Sequence, residues 1–168
     1  MTTSAFLPDT DELLDQVETI CAQRGSRLTS LRRQVLGLVL ESPKPAGAYD
    51  LLDRLRIRHK GAAPPTVYRA LDFLLEQGLI HKVERLSAFI GCVHGITEDH
   101  RHDHDAEHDH VHAAQFLICN RCNRVTELND TEIGQALQRA ARQSGFRLTG
   151  ATVEADGLCV ACASASDS

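Results

Sequence analysis

Two C-x-x-C motifs in the C-terminal half constrain the fold of this chain more than any other feature. Cys119 and Cys122 lie in QFLICNRCNRVTEL, and Cys159 and Cys162 lie in DGLCVACA. Each motif forms a predicted turn flanked by apolar residues, so the four thiolates can meet tetrahedrally around one Zn2+ in a closed structural site. A single motif would also suit a dithiol redox centre, whereas a matched pair favours zinc.

The segment between the two motifs is longer than in a usual zinc ribbon, but it has a predicted structure of its own. TEIGQALQRAARQSGF has the pattern of a helix, and RLTGATVEA has that of a strand. The motifs therefore belong to a small predicted α/β domain.

Size and composition limit what the rest of the chain can be. Its 168 residues, of which 42% are hydrophobic and none is Trp, allow one substantial aliphatic core or two small ones. No stretch approaches the roughly 18 to 20 apolar residues of a membrane span, and the acidic start MTTSAFLPDTDELL is unlike a secretory signal. We therefore expect a cytoplasmic protein, in which six cysteines indicate metal or redox chemistry before disulfides.

The formal net charge of -5 hides a basic third of the chain. Residues 24–69 contain ten Lys and Arg against three Asp and Glu, a local balance of +7. Such a concentration is typical of a surface that binds nucleic-acid phosphates, although solvated helix faces also produce it.

Hydrophobic periodicity predicts four short helices and a hairpin in this region. The predicted helices are residues 11–23, a stretch from Thr29 or Ser30 to just before Pro43, AYDLLDRLR, and PPTVYRALDFLLEQG. LIHKVERLSAFIGC then predicts two short strands about a turn. This order of elements predicts a winged helix-turn-helix.

The fourth predicted helix has the pattern of a DNA recognition helix. Val67, Leu71 and Leu74 form its buried stripe, and Arg69 points the opposite way. Thr66 and Tyr68 lie on the flanks of that outer face. An outward arginine can bond O6 and N7 of guanine in the major groove. The alternative is an ordinary surface arginine, but the basic surroundings favour DNA.

The stretch HRHDHDAEHDHVH, residues 100–112, holds six of the nine histidines of the chain. The alternating His and acidic residues from His100 to His110 cannot build a packed core, so we predict that they form a solvated insertion between domains that binds metal weakly. Cys21, on an apolar helical face, is predicted to be a core residue. Four further candidate ligands lie outside the C-x-x-C motifs, and spacing alone does not bring them together: His81, Cys92, His112 and Glu127.

The chain contains, in this order, the stretches TVYRALDFLLEQGLIHKVE, GC, a His-rich stretch, HAAQFLICNRC, VTEL and GLCVAC. Together they resemble the ferric uptake regulator family, and in particular its zinc uptake regulator branch. The resemblance implies an α+β protein with a winged-helix DNA-binding domain at 1–92, a His-rich linker at 93–112 and an α/β dimerisation domain at 113–168. It also implies a homodimeric repressor of zinc-uptake genes that binds double-stranded, AT-rich palindromic operator DNA.

The resemblance further implies two Zn2+ per chain and the residues that hold them. The four motif cysteines match the structural site of the family, and the regulatory site is matched by His81, Cys92, His112 and Glu127. Tyr49 and Arg69 match family positions that approach bases. The outer face of the fourth predicted helix and its basic surroundings add Thr66, Tyr68 and Lys60 to the residues expected to contact DNA. Iron and peroxide sensors of the family have His where this chain has Pro45, and H-H-D-H where it has HAAQ at 112–115. A ligand set that retains a thiolate suits Zn2+ better than iron.

Other functions remain open from the sequence. An iron, nickel or peroxide sensor of the same family is the first alternative. A zinc enzyme would need an open coordination position, yet the chain has neither H-E-x-x-H nor the H-x-E with P-C-x-x-C of zinc deaminases. A metal-buffering protein would explain the histidines but not the basic helices. We expect neither a membrane partner nor a small-molecule substrate.

Overall fold

Four helices and a three-stranded sheet make up the N-terminal unit. The structure is a computed structural model that describes residues 6–92 and 113–165, and these fall into two compact units. The helices are α1 (Pro8–Gln23), α2 (Ser30–Leu40), α3 (Ala48–Arg56) and α4 (Pro64–Glu76). The strands are β1 (Ala46–Gly47), β2 (Ile80–Val83) and β3 (Ala88–Gly91), with a 3-10 turn at Glu84–Leu86.

The ends of these helices follow from local sequence. The Thr29 side chain caps α2 by accepting a hydrogen bond from the Arg32 backbone N–H, as predicted. Pro8 begins α1 three residues before the predicted start, because a proline without an N–H fits the first helical turn. Gly78 follows α4 with φ +68°, a left-handed conformation that glycine adopts without strain.

The small sheet forms the wing. Its order is β1-β3-β2, and all pairs are antiparallel. The hairpin β2–β3 was predicted, whereas β1 was not, because two residues are too few to show an alternating pattern. The N-terminal unit is therefore a winged helix-turn-helix, and the predicted fold class is confirmed for this part of the chain.

An aliphatic core joins the four helices. Twenty buried residues form one cluster that includes Leu14, Val35, Leu51 and Leu74. The predicted stripe of α4 is confirmed, since Val67, Leu71 and Leu74 are buried. Cys21 is also buried in this core, as predicted.

The C-terminal unit is a three-stranded sheet with two helices. Its elements are β4 (Ala113–Cys119), β5 (Val125–Leu128), α5 (Thr131–Gln143), β6 (Ala151–Gly157) and α6 (Val160–Ser164). The central strand β4 pairs antiparallel with β5 and parallel with β6. The predicted α/β fold is thus confirmed. The predicted strand RLTGATVEA begins only at Ala151, and the short helix α6 was not predicted.

Much apolar surface of the C-terminal unit is exposed to solvent in the single chain. Helix α5 has no buried residue. Large exposed side chains of this unit are Leu117, Leu137, Phe146, Leu158 and Val160.

Within the described ranges, no helix is long and apolar enough to span a membrane. The domain boundaries after residues 92 and 112 stay a prediction.

Candidate metal centres and DNA-binding surface

The four motif cysteines converge in the C-terminal unit. Cys119, Cys122, Cys159 and Cys162 each offer a sulfur, and these sulfurs all lie within 4.8 Å of one another. Cys122 Sγ and Cys159 Sγ are 3.8 Å apart. A tetrahedron with Zn–S bonds of about 2.3 Å has edges of about 3.8 Å, so the arrangement fits a zinc ion.

Sheet topology brings the two motifs together. Cys119 ends β4, and Gly157, its register partner, ends the parallel strand β6. The chain then leaves both strands at the same edge, where the Asn120 N–H donates to the Gly157 carbonyl at 2.9 Å. The Arg121 side chain donates to the Cys162 carbonyl at 3.1 Å and connects the two turns. The sequence does not predict this role for Arg121, because a surface arginine carries no distinctive spacing.

Backbone hydrogen bonds adjust the ionisation of the thiols. The N–H of Cys159, 3.4 Å from Cys119 Sγ, and the N–H groups of Cys122 and Arg121 lower the pKa of Cys119 to about 6. Hydrogen bonding to Cys159, together with burial and the neighbouring thiols, raises the pKa of Cys162 to about 12. Four crowded sulfurs therefore resist full ionisation by themselves, and a divalent cation is the partner that would let all of them ionise.

A second pair of candidate ligands lies on the wing. His81 pairs with Ile90 across β2 and β3, and Cys92 lies two residues beyond Ile90. Diagonal positions of neighbouring antiparallel strands share one face. A nitrogen of His81 and the sulfur of Cys92 are within 4.8 Å of each other, and Cys92 is 6% exposed. The N-terminal unit therefore holds an imidazole and a thiol at a distance that one metal ion can span.

The other two predicted ligands belong to the second half of the chain. Glu127 lies on β5 opposite Phe116 and is half-buried. His112 and the histidine tract lie outside the described residues. Their assignment to a shared site stays a prediction.

The predicted DNA-contacting residues lie on α3, on α4 and in the turn between them. Arg69 and Tyr68 are exposed on the outer face of α4, and Thr66 is half-buried near its start. Tyr49 is 66% exposed on α3, and Lys60 is exposed in the turn. Each side chain is therefore accessible to a partner, with Thr66 the least so.

Hydrogen bonds, ion pairs and one ring contact involve many of the ten basic side chains in residues 24–69. Arg33 binds Asp15 at 2.7 Å, and the Arg32 guanidinium lies 3.6 Å from the ring centroid of Phe73. Partners also exist for Arg24, Arg54, Arg56 and Arg58. Of these ten basic side chains, all of them within the described residues, those that make no hydrogen bond, ion pair or ring contact are Arg27, Lys44, Lys60 and Arg69. The local charge of +7 thus overstates what is free for phosphate.

A model of the ferric uptake regulator family matches residues 23–156. The chain belongs to this family. It is 44% identical over 153 residues to the zinc uptake regulation protein of Escherichia coli K12, covering 91% of this chain and 82% of that protein. A zinc uptake regulator complexed with zinc and DNA has 42% sequence identity and a TM-score of 0.80, covering 95% of this chain and 98% of that one. Holo XcZur has 40% identity and a TM-score of 0.77, covering 92% and 99%.

Proposed function

We propose that this chain is a zinc-responsive transcriptional repressor, not an enzyme. It acts in the cytoplasm, where it binds a palindromic, AT-rich operator as a Zn-loaded homodimer and silences zinc-uptake genes. The observation that carries the proposal is the winged helix with an outward Arg69 in a chain 42% identical to a regulator bound to zinc and DNA.

The proposal includes two zinc sites per chain with different roles. The four motif cysteines hold a structural ion in a closed site. The regulatory ion is held by His81, Cys92, His112 and Glu127, a set supported by the closeness of His81 and Cys92 and by family resemblance. When bound, Zn2+ would supply a link between ligands from both halves of the chain.

Regulation then follows from a shift in populations. His81 and Cys92 lie on the wing of the DNA-binding unit, so ligating them together with His112 and Glu127 selects one arrangement of the two halves of the chain. In the dimer, only a suitable arrangement lets both α4 helices meet successive major grooves. Zinc binding therefore raises the affinity for the operator, and operator binding raises the affinity for zinc by the same factor.

The exposed apolar side chains of the C-terminal unit support the homodimer. Phe146 is 69% exposed and Val160 is 85% exposed, and a soluble monomer rarely leaves many such side chains bare together. A second copy of the chain would cover them, and this supports a role for the unit in dimerisation.

The His81–Cys92 pair also favours zinc over manganese as the sensed metal. A thiolate with an imidazole suits the borderline-soft Zn2+ better than oxygen-preferring Mn2+. Operator binding measured with Zn2+, Fe2+, Ni2+ and Mn2+ in turn tests the choice. We expect Zn2+ to support binding at the lowest free concentration. If Fe2+ or Ni2+ did so instead, the chain would be a different sensor of the family.

Arg69→Ala should selectively weaken binding to the operator. We expect a loss of about 1 to 3 kcal/mol per half-site and relaxed preference at one base pair, because a bidentate bond to guanine is removed. Binding to operator and to random DNA of equal length measures the effect. Equal losses on both would argue against a base contact.

Lys60→Ala is the matched control for Arg69. Its exposed ammonium can bind only phosphate in this interpretation, so its removal should weaken binding to all DNA alike. The dimer loses one phosphate-binding charge from each chain, so the slope of log K against log salt should become less steep by about 1.8, and a titration from low to high salt measures that slope.

Residues 99–109 of the histidine-rich stretch should be dispensable for sensing. Its composition predicts weak metal sites, since ordering a polar segment around a metal costs conformational entropy. Deleting residues 99–109 should leave zinc-dependent operator binding nearly intact, whereas His112→Ala should impair it severely. Zinc-dependent gel shifts of both variants are the measurement, and the reverse pattern would identify the tract as the sensor.

A further inference from the structure

Strand β3 approaches α2 at the residue that precedes Cys92. A Cβ built on Gly91 would lie 2.6 Å from Cδ2 of Leu40, the last residue of α2, which is closer than carbon atoms approach in proteins. Leu40 is itself packed against the hydrophobic core. A side chain at position 91 would therefore displace either the leucine or the strand. Gly47, in the neighbouring strand β1, has nothing within 4 Å of its Cβ position.

Cys92 is also attached to the chain segment that follows α4. Its backbone N–H donates to the Leu79 carbonyl at 3.0 Å, and Leu79 is fully buried. The preceding residue, Gly91, pairs with Ile80 of β2. The backbone at Cys92 is thus bonded to the segment that follows α4, and the residue before it lies against the last residue of α2.

We propose that Gly91 is a positioning residue for the regulatory metal site: the lack of a side chain at position 91 lets β3 lie against Leu40 of α2 and so fixes the backbone that presents the Cys92 thiol. The proposal rests on the function proposed above for Cys92. The same contact would couple metal binding to DNA binding. A metal that fixes Cys92 favours one position of α2, and with it of the helix-turn-helix, relative to β3. Neither Gly91 nor Leu40 touches the metal in this scheme.

Metal sites tolerate little displacement of their ligands, and this is why the position of β3 matters for Cys92. A ligand that shifts by a few tenths of an ångström no longer fits a metal–sulfur bond of about 2.3 Å without strain. Residues that orient ligands in this way change metal affinity by about 10- to 100-fold when they are replaced. One added methyl group at position 91 would meet Cδ2, the end of the partly buried Leu40 side chain, so either that side chain or the strand that carries Cys92 must move.

Gly91→Ala and the Gly91→Ala/Leu40→Ala double variant test the proposal in the full-length chain with Zn2+ already in the four-cysteine site. Co2+ is the probe, because cobalt–thiolate absorption reports on the sulfur ligand itself. Gly91→Ala should bind Co2+ about 10- to 100-fold more weakly and lose intensity in the thiolate band. Leu40→Ala in the double variant makes room for the methyl group and should restore both. Gly47→Ala, the matched control in the same sheet, should behave as the unmodified chain.

Cys92→Ser distinguishes an error in the positioning role of Gly91 from an error in the proposed regulatory site. If Cys92→Ser leaves the cobalt–thiolate band unchanged, Cys92 is not a ligand and the regulatory site proposed above is wrong. If Cys92→Ser removes the band but Gly91→Ala binds Co2+ normally, only the positioning role is overturned. Should Gly91→Ala fail to fold, the double variant decides: recovery of fold and band supports the contact, and continued failure overturns it.

Discussion

Replacing Cys119 or Cys159 by Ser should unfold the C-terminal unit and abolish dimers. Thiolate binding and folding are one equilibrium in small zinc domains, where the ion contributes roughly 10 to 16 kcal/mol. A typical domain is stable by only about 5 to 15 kcal/mol, so loss of the ion matches or exceeds the free energy of unfolding of the whole domain. The unit has little core of its own, since helix α5 buries none of its residues. Circular dichroism, zinc content and sedimentation measure the three expected losses.

Cys21→Ala provides the matched control for those variants. Cys21 is also a buried cysteine, but it packs in the core of the N-terminal unit and lies outside the four-cysteine cluster. We expect it to lower the free energy of unfolding by about 1 kcal/mol and to keep both dimer and zinc. A Cys119→Ser protein that is folded, dimeric and free of structural zinc would refute the assignment of the cysteines to a structural site.

The helices and the four-cysteine cluster were predictable because their signals are local or repeated. Amphipathic spacing and the prolines at the start of α4 fixed its place in the sequence, and the structure buries the predicted stripe. The cysteine motifs were predictable as a cluster because each turn supplies two ligands at fixed spacing. Strand β1 and helix α6 were missed because they are too short to show periodicity.

The wing pair His81 and Cys92 could not be derived from spacing, since their closeness depends on strand register. Register is set by the turn and by packing, and a shift of one residue would move Cys92 to the opposite face. The number of basic side chains that are free to bind phosphate could not be predicted either, for a related reason. Arginines such as Arg32 and Arg33 have intramolecular partners that only the packed helices bring near, so a sum over the sequence overestimates the phosphate-binding charge.

Cys92→Ser, His81→Ala and Glu127→Ala should uncouple zinc from DNA while leaving a folded dimer. With the regulatory site empty, the two halves of each chain lose the constraint that selects the DNA-binding arrangement. We expect operator affinity in excess zinc to fall about 5- to 150-fold, toward that of the metal-depleted protein, because allosteric coupling has this magnitude. Each variant should retain one zinc per chain, held by the four motif cysteines. Operator binding against free zinc concentration, with zinc content measured in parallel, gives both quantities.

Glu132→Ala is the control for Glu127→Ala. Glu132 is an exposed glutamate in the first turn of α5, where its removal should cost only the interaction with the helix dipole, about 0.3 to 1 kcal/mol, and leave zinc response unchanged. The two glutamates should differ because only a ligand can link metal occupancy to the arrangement of the chain. Zinc-responsive operator binding that survives in Cys92→Ser would place the regulatory site elsewhere. Loss of dimers in all three variants would instead make these residues structural, since a sensing ligand can be removed from a protein whose cysteine cluster still folds its C-terminal unit.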